Sequence, residues 1–171
     1  MLQQAGALRK YVLAIAGPQG WDITFDRFLQ ESPACGRVRR LGFVPLEDMP
    51  SLYHFASAFV YPSVYEGFGL PVLEALCSSA IVLTSNVSSL AEIAGNVVMT
   101  FNPYDILSIA EAVLKASTME RQSALAYRRS CRARGHQLLQ ESEDRPSMAT
   151  LLTDRYTEQS CASPSLCPSS I

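Results

Sequence analysis

Apolar and polar positions along this chain switch repeatedly between short strand-like runs and helical stripes. A continuous apolar run at residues 11–16 reads as a central parallel strand that ends at Gly17-Pro18-Gln19-Gly20. A short helix follows at 23–30, carrying Ile23, Phe25, Phe28 and Leu29, and a second strand at 37–44. Residues 46–56 place Leu46, Met49, Leu52, Tyr53 and Ala56 on one helical face, and Pro50 fits there only within the first turn. Strands are expected at 58–61, 81–84 and 97–101. Helices are expected at 70–78, with Pro71 in its first turn, and at 89–94, closed by Gly95. Asp105 then caps a helix whose stripe is Ile106, Ile109, Ala110, Val113 and Leu114.

Strands alternating with helices at short intervals predict an α/β fold, a single Rossmann-like domain whose parallel sheet is flanked by helices. In such sheets ligands bind beyond the carboxyl ends of the strands. That directs attention to the loops at Gly17–Gly20, Val44-Pro45 and 63–69. The domain is expected over residues 1–117, followed by a helical extension at 118–157 and a disordered Ser/Pro-rich tail at 158–171. Within the extension, 119–137 reads as a helix, 141–146 as a linker and 148–156 as one more helix. The arginines of the first of these (Arg121, Arg128, Arg129, Arg132 and Arg134) read as a solvated helical face in preference to a nucleic-acid surface.

Composition narrows the picture. The 171 residues are 48% hydrophobic and 18% charged, which suits a packed core, and the net charge of −2 argues against non-specific nucleic-acid binding. Five cysteines without a CxxC pair or a His/Cys cluster suggest reduced thiols in a cytoplasmic protein, with no metal site. The apolar run at 11–16 follows Arg9 and Lys10 as a signal peptide's would. It is too short to span a bilayer, and a buried strand ending in a turn explains it better.

The segment YPSVYEGFGLPVLE, residues 61–74, carries the chemistry. Gly67 and Gly69 flank Phe68 and let the backbone bend sharply and approach a ligand. The helix starting near Leu70 offers free N–H groups and a dipole that favour an anion, most naturally a phosphate. Glu74 lies about 6 Å along the helix axis from Leu70. A carboxylate there suits a pair of ribose hydroxyls, and Glu66, on the other side of the glycine turn, suits a sugar. The competing readings are a plain strand-to-helix turn, a solvated Glu74 and a loop Glu66 paired with an arginine.

Residues 37–115 resemble the carboxy-terminal domain of the retaining, metal-independent GT4 glycosyltransferases of GT-B fold. The resemblance is carried by Pro62-Ser63, by Glu66-Gly67-Phe68-Gly69-Leu70-Pro71 and by Leu73-Glu74-Ala75. Leu41-Gly42-Phe43-Val44, Leu52-Tyr53, Thr84-Ser85-Asn86 and Ser88-Ser89-Leu90-Ala91-Glu92 agree, as does the stretch LAIAGPQGW at 13–21. The resemblance implies that Glu66 acts at the transferred sugar as the catalytic carboxylate and that Glu74 binds the donor's ribose. It further implies that backbone amides of Phe68, Gly69 and Leu70, with Gly67 shaping the turn, hold sugar and diphosphate. Val44 would meet the nucleobase through its backbone and Gly17 would line the nucleotide cleft. For Glu92 a capping box, Ser89-x-x-Glu92, is the better reading.

The implied reaction transfers a hexose from a nucleoside diphosphate sugar to a glycan, lipid or small-molecule acceptor, with no cofactor or metal. The resemblance leaves room for peripheral membrane association of the full enzyme. It places the family's basic pair, which neutralises the diphosphate, a strand and a helix upstream of Tyr11. The chain is therefore expected to lack an N-terminal acceptor domain and to be inactive alone. Ser79-Ala80-Ile81 stands where the family usually has glycine, any residue, then proline, and a left-handed Ser79 would be strained. Asn96 replaces a frequent aspartate. An inactive nucleotide-binding fragment is the rival reading. A hydrolase using Glu66 and Glu74 as an acid and base pair is disfavoured, because that chemistry needs both carboxylates facing one bond.

Overall fold

The computed structural model describes residues 10–18, 23–32 and 35–143. The helix expected at 148–156, the tail, and Gln19, Gly20 and Trp21 lie outside the described residues. In chain order the elements are β1 (Leu13–Ala16), α1 (Ile23–Glu31), a 3-10 turn (Cys35–Arg37), β2 (Val38–Gly42), α2 (Met49–Phe55), β3 (Phe59–Tyr61) and α3 (Leu70–Cys77). They continue with β4 (Val82–Ser85), α4 (Ser88–Ala94), β5 (Met99–Phe101), α5 (Ile106–Ser117) and α6 (Arg121–Glu143). All strand pairs among the described residues are parallel, so the α/β class expected from the alternating pattern is the one observed.

The sheet is not continuous. β1 pairs with β2, while β3, β4 and β5 form a second ladder in that order. Among the described residues neither β1 nor β3 has a strand on its other edge. The apolar run of β1, expected to be a buried central strand, is instead largely exposed, with Leu13 at 55%. The pattern was right about a strand, but its burial depends on neighbours that a local run cannot specify. A hydrogen bond from the Tyr11 hydroxyl to the Ser117 carbonyl, 3.0 Å, ties the start of this ladder to the end of α5.

β4 is buried along its whole length and divides the core by its two-residue period. Val82 faces a cluster built from Tyr53, Val72, Leu76, Leu90, Ile93 and Cys131, which come from α2, α3, α4 and α6. Ile81 and Leu83 face Phe101 and Ala116, with Ile109 and Val113 of α5 packed alongside. Helices therefore cover both faces of this ladder, as parallel strands require.

α6 runs through Glu143, so residues 141–143, expected to open a linker, are helical. The solvated-face reading of its arginines needs a larger correction. Arg121, Arg129 and Arg132 are exposed, but Arg128 and Arg134 turn inward. Arg128 donates to the carbonyls of His54, Ser79 and Ala56 at 3.0, 2.8 and 2.9 Å, which closes the carboxyl ends of α2 and α3. Arg134 donates to the carbonyls of Ile93 and Glu92 at the end of α4, at 3.1 and 2.8 Å. Helix ends leave carbonyls without intrahelical partners, and a cation there also meets the negative end of the dipole. The propensity of α6 was legible; its targets, 41 to 74 residues away, were not. At Gly135 the helices approach so closely that a Cβ would lie 2.9 Å from the Cys77 amide nitrogen.

The helix expected from residue 46 starts at Met49, and Pro50 falls in its first turn as required. Asp105 caps α5, its Oδ1 accepting from the Leu107 amide at 2.9 Å. Ser79 is left-handed, with φ of 60°. Its amide bonds to the Leu76 carbonyl and that of Ala80 to the Ala75 carbonyl, each at 3.0 Å, the double closure of a Schellman turn. Glycine takes this conformation without the penalty of a Cβ. Ser79→Gly is therefore expected to stabilise the chain by about 1 kcal/mol, read as a rise in the urea midpoint at unchanged slope.

Candidate functional site

The site is built around the start of α3. Gly69 precedes the helix in a left-handed conformation, φ 88°, and a Cβ there would lie 2.6 Å from a Leu90 Cδ and 3.1 Å from an Ile93 Cδ. Leu90 is fully buried and cannot easily yield. Glycine is thus required twice, by the turn and by the closeness of α4. Within the helix the Val72 and Leu73 amides already bond to the Gly69 carbonyl at 3.0 and 3.3 Å, and Pro71 has no amide hydrogen. The amides of Phe68, Gly69 and Leu70 have no acceptor among the described residues. These free donors stand at the positive end of the helix dipole, an arrangement that suits an anion.

Two carboxylates bracket this turn, and each is held by a tyrosine. The Tyr61 hydroxyl donates to Glu66 Oε1 at 2.7 Å, and the Tyr53 hydroxyl donates to Glu74 Oε2 at 3.2 Å. Glu74 is only 9% exposed, so the solvated-helix reading of this residue fails. Neither carboxylate pairs with an arginine among the described residues. Burial pushes the Tyr61 phenol up to about 12, and the Glu66 hydrogen bond and the charges of Glu66 and Glu74 push the same way. Tyr61 therefore remains a donor at neutral pH.

The Glu66 backbone is fastened separately. Its carbonyl accepts from the hydroxyls of Ser88 and Ser89, both at 2.9 Å. Ser88, the first residue of α4, has φ of 56°, an uncommon conformation for a residue with a Cβ. The expected capping box at Ser89 and Glu92 is not formed. Val87 occupies the cap position without a side-chain bond, and the Ser89 hydroxyl is spent on the Glu66 carbonyl instead.

The remaining candidates lie at the carboxyl ends of the other ladder. Gly17, with φ of 129°, donates its amide to the Gly42 carbonyl at 2.8 Å, which joins the ends of β1 and β2. Val44 follows two residues later, half-buried. Every candidate residue except Glu74, which lies inside α3, thus sits beyond the carboxyl end of a parallel strand or at the helix start that follows one. Among the described residues no group of three or more His, Cys, Asp or Glu could hold a metal ion, and no helix is long and apolar enough to cross a membrane.

Residues 2–137 match the family described as glycosyl transferases group 1. The chain belongs to this family. It is 42% identical over 108 residues to the O-antigen chain mannosyltransferase B of Escherichia coli, covering 63% of this chain and 28% of that protein. It is 35% identical over 121 residues to the glycogen synthase of Mycobacterium tuberculosis, covering 70% and 28%. The chain therefore spans little more than a quarter of the length of these relatives. Among solved structures, HepE of Anabaena in complex with UDP and glucose superposes with a TM-score of 0.68 at 17% identity, covering 88% of this chain and 44% of that one. WaaG, a glycosyltransferase involved in lipopolysaccharide biosynthesis, superposes with a TM-score of 0.64 at 19% identity, covering 91% and 43%. These likenesses show the fold, and it is the one the GT-B resemblance implied.

Reading the sequence as a group 1 glycosyltransferase located the glycine turn and its two glutamates but missed Tyr53, Tyr61, Ser88 and Ser89 as their supports. A faint signal existed for Tyr61, which shares a strand face with Phe59 and lies five residues from Glu66. Gly69→Ala forces a Cβ into the left-handed turn and against Leu90. It is expected to cost about 1–3 kcal/mol of stability, measured by denaturant unfolding. An unchanged unfolding midpoint would show that the turn is not constrained as described.

Proposed function

We propose that this chain is the donor-binding half of a retaining, metal-independent glycosyltransferase that moves a hexose from a nucleoside diphosphate sugar to an acceptor. The observation that carries the reading is a glycine turn with three free amides at a helix start, bracketed by two tyrosine-held carboxylates. Mannose is the first sugar to test, because the chain shares 42% identity over 108 residues with an O-antigen chain mannosyltransferase. In this scheme the diphosphate lies against the amides of Phe68, Gly69 and Leu70. Their dipoles, fixed before the reaction starts, offset the charge that grows on the leaving diphosphate. Glu74 accepts from the ribose hydroxyls and Glu66 from the sugar. Val44 and Gly17 border the nucleoside. The acceptor, a glycan, lipid or small molecule, is held by a second domain, and positioning of this kind supplies about 7–11 kcal/mol of barrier reduction. The chain alone is therefore proposed to bind donor but not to turn it over.

Calorimetry with guanosine, uridine and adenosine diphosphates in EDTA tests the reading. Binding is expected in about the millimolar range, near 4 kcal/mol, and should not need magnesium. Glu74→Ala removes a contact to ribose and should weaken the preferred diphosphate by about 1.5–3 kcal/mol. Glu66→Ala should leave diphosphate binding nearly intact and weaken only the sugar conjugate. Equal losses of free diphosphate in both variants would defeat the division of roles, and binding strictly dependent on magnesium would defeat the site.

A further inference from the structure

Tyr53, Phe59 and Tyr61 form one aromatic row. The Tyr53 and Phe59 rings meet edge to face at 4.9 Å, and the Phe59 and Tyr61 rings stack at 5.8 Å. Tyr53 comes from α2 and is buried, whereas Phe59 and Tyr61 project from the same face of β3. The row therefore has a rigid middle and two hydroxyl ends, and the ends reach different carboxylates. One holds Glu74 inside α3, and the other holds Glu66 before the turn.

A carboxylate on a loop has several rotamers, and a contact to one sugar hydroxyl uses only one of them. Glu66 has no helix of its own to orient it. Its backbone is pinned by Ser88 and Ser89 and its side chain by Tyr61, so the constraints come from two elements that it does not belong to. The Tyr61 carbonyl in turn accepts from the hydroxyls of Thr84 and Ser85 on β4 at 3.4 and 3.5 Å, which fixes the end of β3 from which the ring projects.

We propose that Tyr61 and Tyr53 are positioning residues with divided duties: Tyr61 orients Glu66 for the sugar, and Tyr53 orients Glu74 for the nucleoside. This rests on the donor-site reading above. Neither tyrosine need touch the donor, because each acts through its carboxylate. A hydroxyl at one end of the row is thus expected to change one part of the donor's affinity without the other. A purely structural role for the row would make Tyr61→Phe lower both together.

The experiment compares free diphosphate with its mannose and glucose conjugates, using the base preferred in the panel above. The readout is the ratio of conjugate to diphosphate affinity, by NMR titration of the full chain. Tyr61→Phe keeps the ring and removes the hydroxyl, and should lower the ratio by about tenfold. Tyr53→Phe should weaken conjugate and diphosphate by the same factor, leaving the ratio as in the wild type. A Tyr61→Phe ratio equal to the wild type's, or a Tyr53→Phe effect confined to the conjugate, overturns the proposal while the donor site stands. A wild-type chain that binds neither ligand defeats the donor-site reading itself, and this proposal with it.

A second measurement needs no donor. With tyrosine labelled at Cζ, the Tyr61 phenol, pushed up to about 12, should titrate lower in Glu66→Gln. It should still titrate above 10, because burial, the largest cause, remains. Glu74 adds its charge from α3 and should give a smaller fall in Glu74→Gln. A Tyr61 titration indifferent to Glu66→Gln removes the contact on which the proposal is built.

Discussion

The left-handed turn at Gly69, closed against the buried Leu90, is the constraint on which the rest of the site depends. It lets α3 begin immediately beside α4, so the last loop residues before the helix lie within reach of the α4 serines. Among the described residues the same turn leaves the Phe68, Gly69 and Leu70 amides without acceptors. A Cβ at residue 69 would push the two helices apart. That would move the amides, the Glu66 loop and its serine clasp together, since all three take their positions from this one approach.

The layers behind the turn serve to hold it still. β4 is covered on both faces, and α3 is fixed at its far end by the Schellman turn at Ser79 and by Arg128. Arg128 also closes α2, which carries Tyr53, so one guanidinium braces two of the elements that frame the site. Burial lowers the pKa of that guanidinium from its ordinary value, the expected result of withdrawing a cation from water, and three carbonyls compensate it. The strain accepted at Ser79 and Ser88 lies on either side of β4, at residues whose carbonyl or hydroxyl serves the bracing of α3 or of Glu66. Uncommon backbone of this kind persists where surrounding contacts over-determine it.

The two ladders differ in how far they are finished. β3, β4 and β5 have helices on both faces and a closed core. β1 and β2 expose apolar residues, Leu13 and Leu41 among them, and Phe43 just after β2 is 82% exposed beside Val44. The well-packed half carries the carboxylates and the free amides, and the open half carries Gly17 and Val44. The stretches shared with the O-antigen mannosyltransferase and the glycogen synthase cover 28% of each of those relatives.

By itself the sequence determined the element types, because periods of two and of about 3.6 residues are local properties of the chain. It also determined the glycine turn at 66–70 and the placing of one glutamate on either side of it, since these lie within one short segment. It even located the strained Ser79, because a helix end needs a left-handed residue and serine stood where glycine is usual. Only the tertiary structure decided that the described strands fall into two ladders, β1-β2 and β3-β4-β5, that Ser89 serves Glu66 instead of capping its own helix, and that Arg128 and Arg134 turn inward. It alone matched Tyr53 to Glu74, 21 residues away, and the Ser88 hydroxyl to the Glu66 carbonyl, 22 residues away. A hydrogen bond depends on where two side chains end up in space. That is set by helix packing and strand order, which no local pattern encodes.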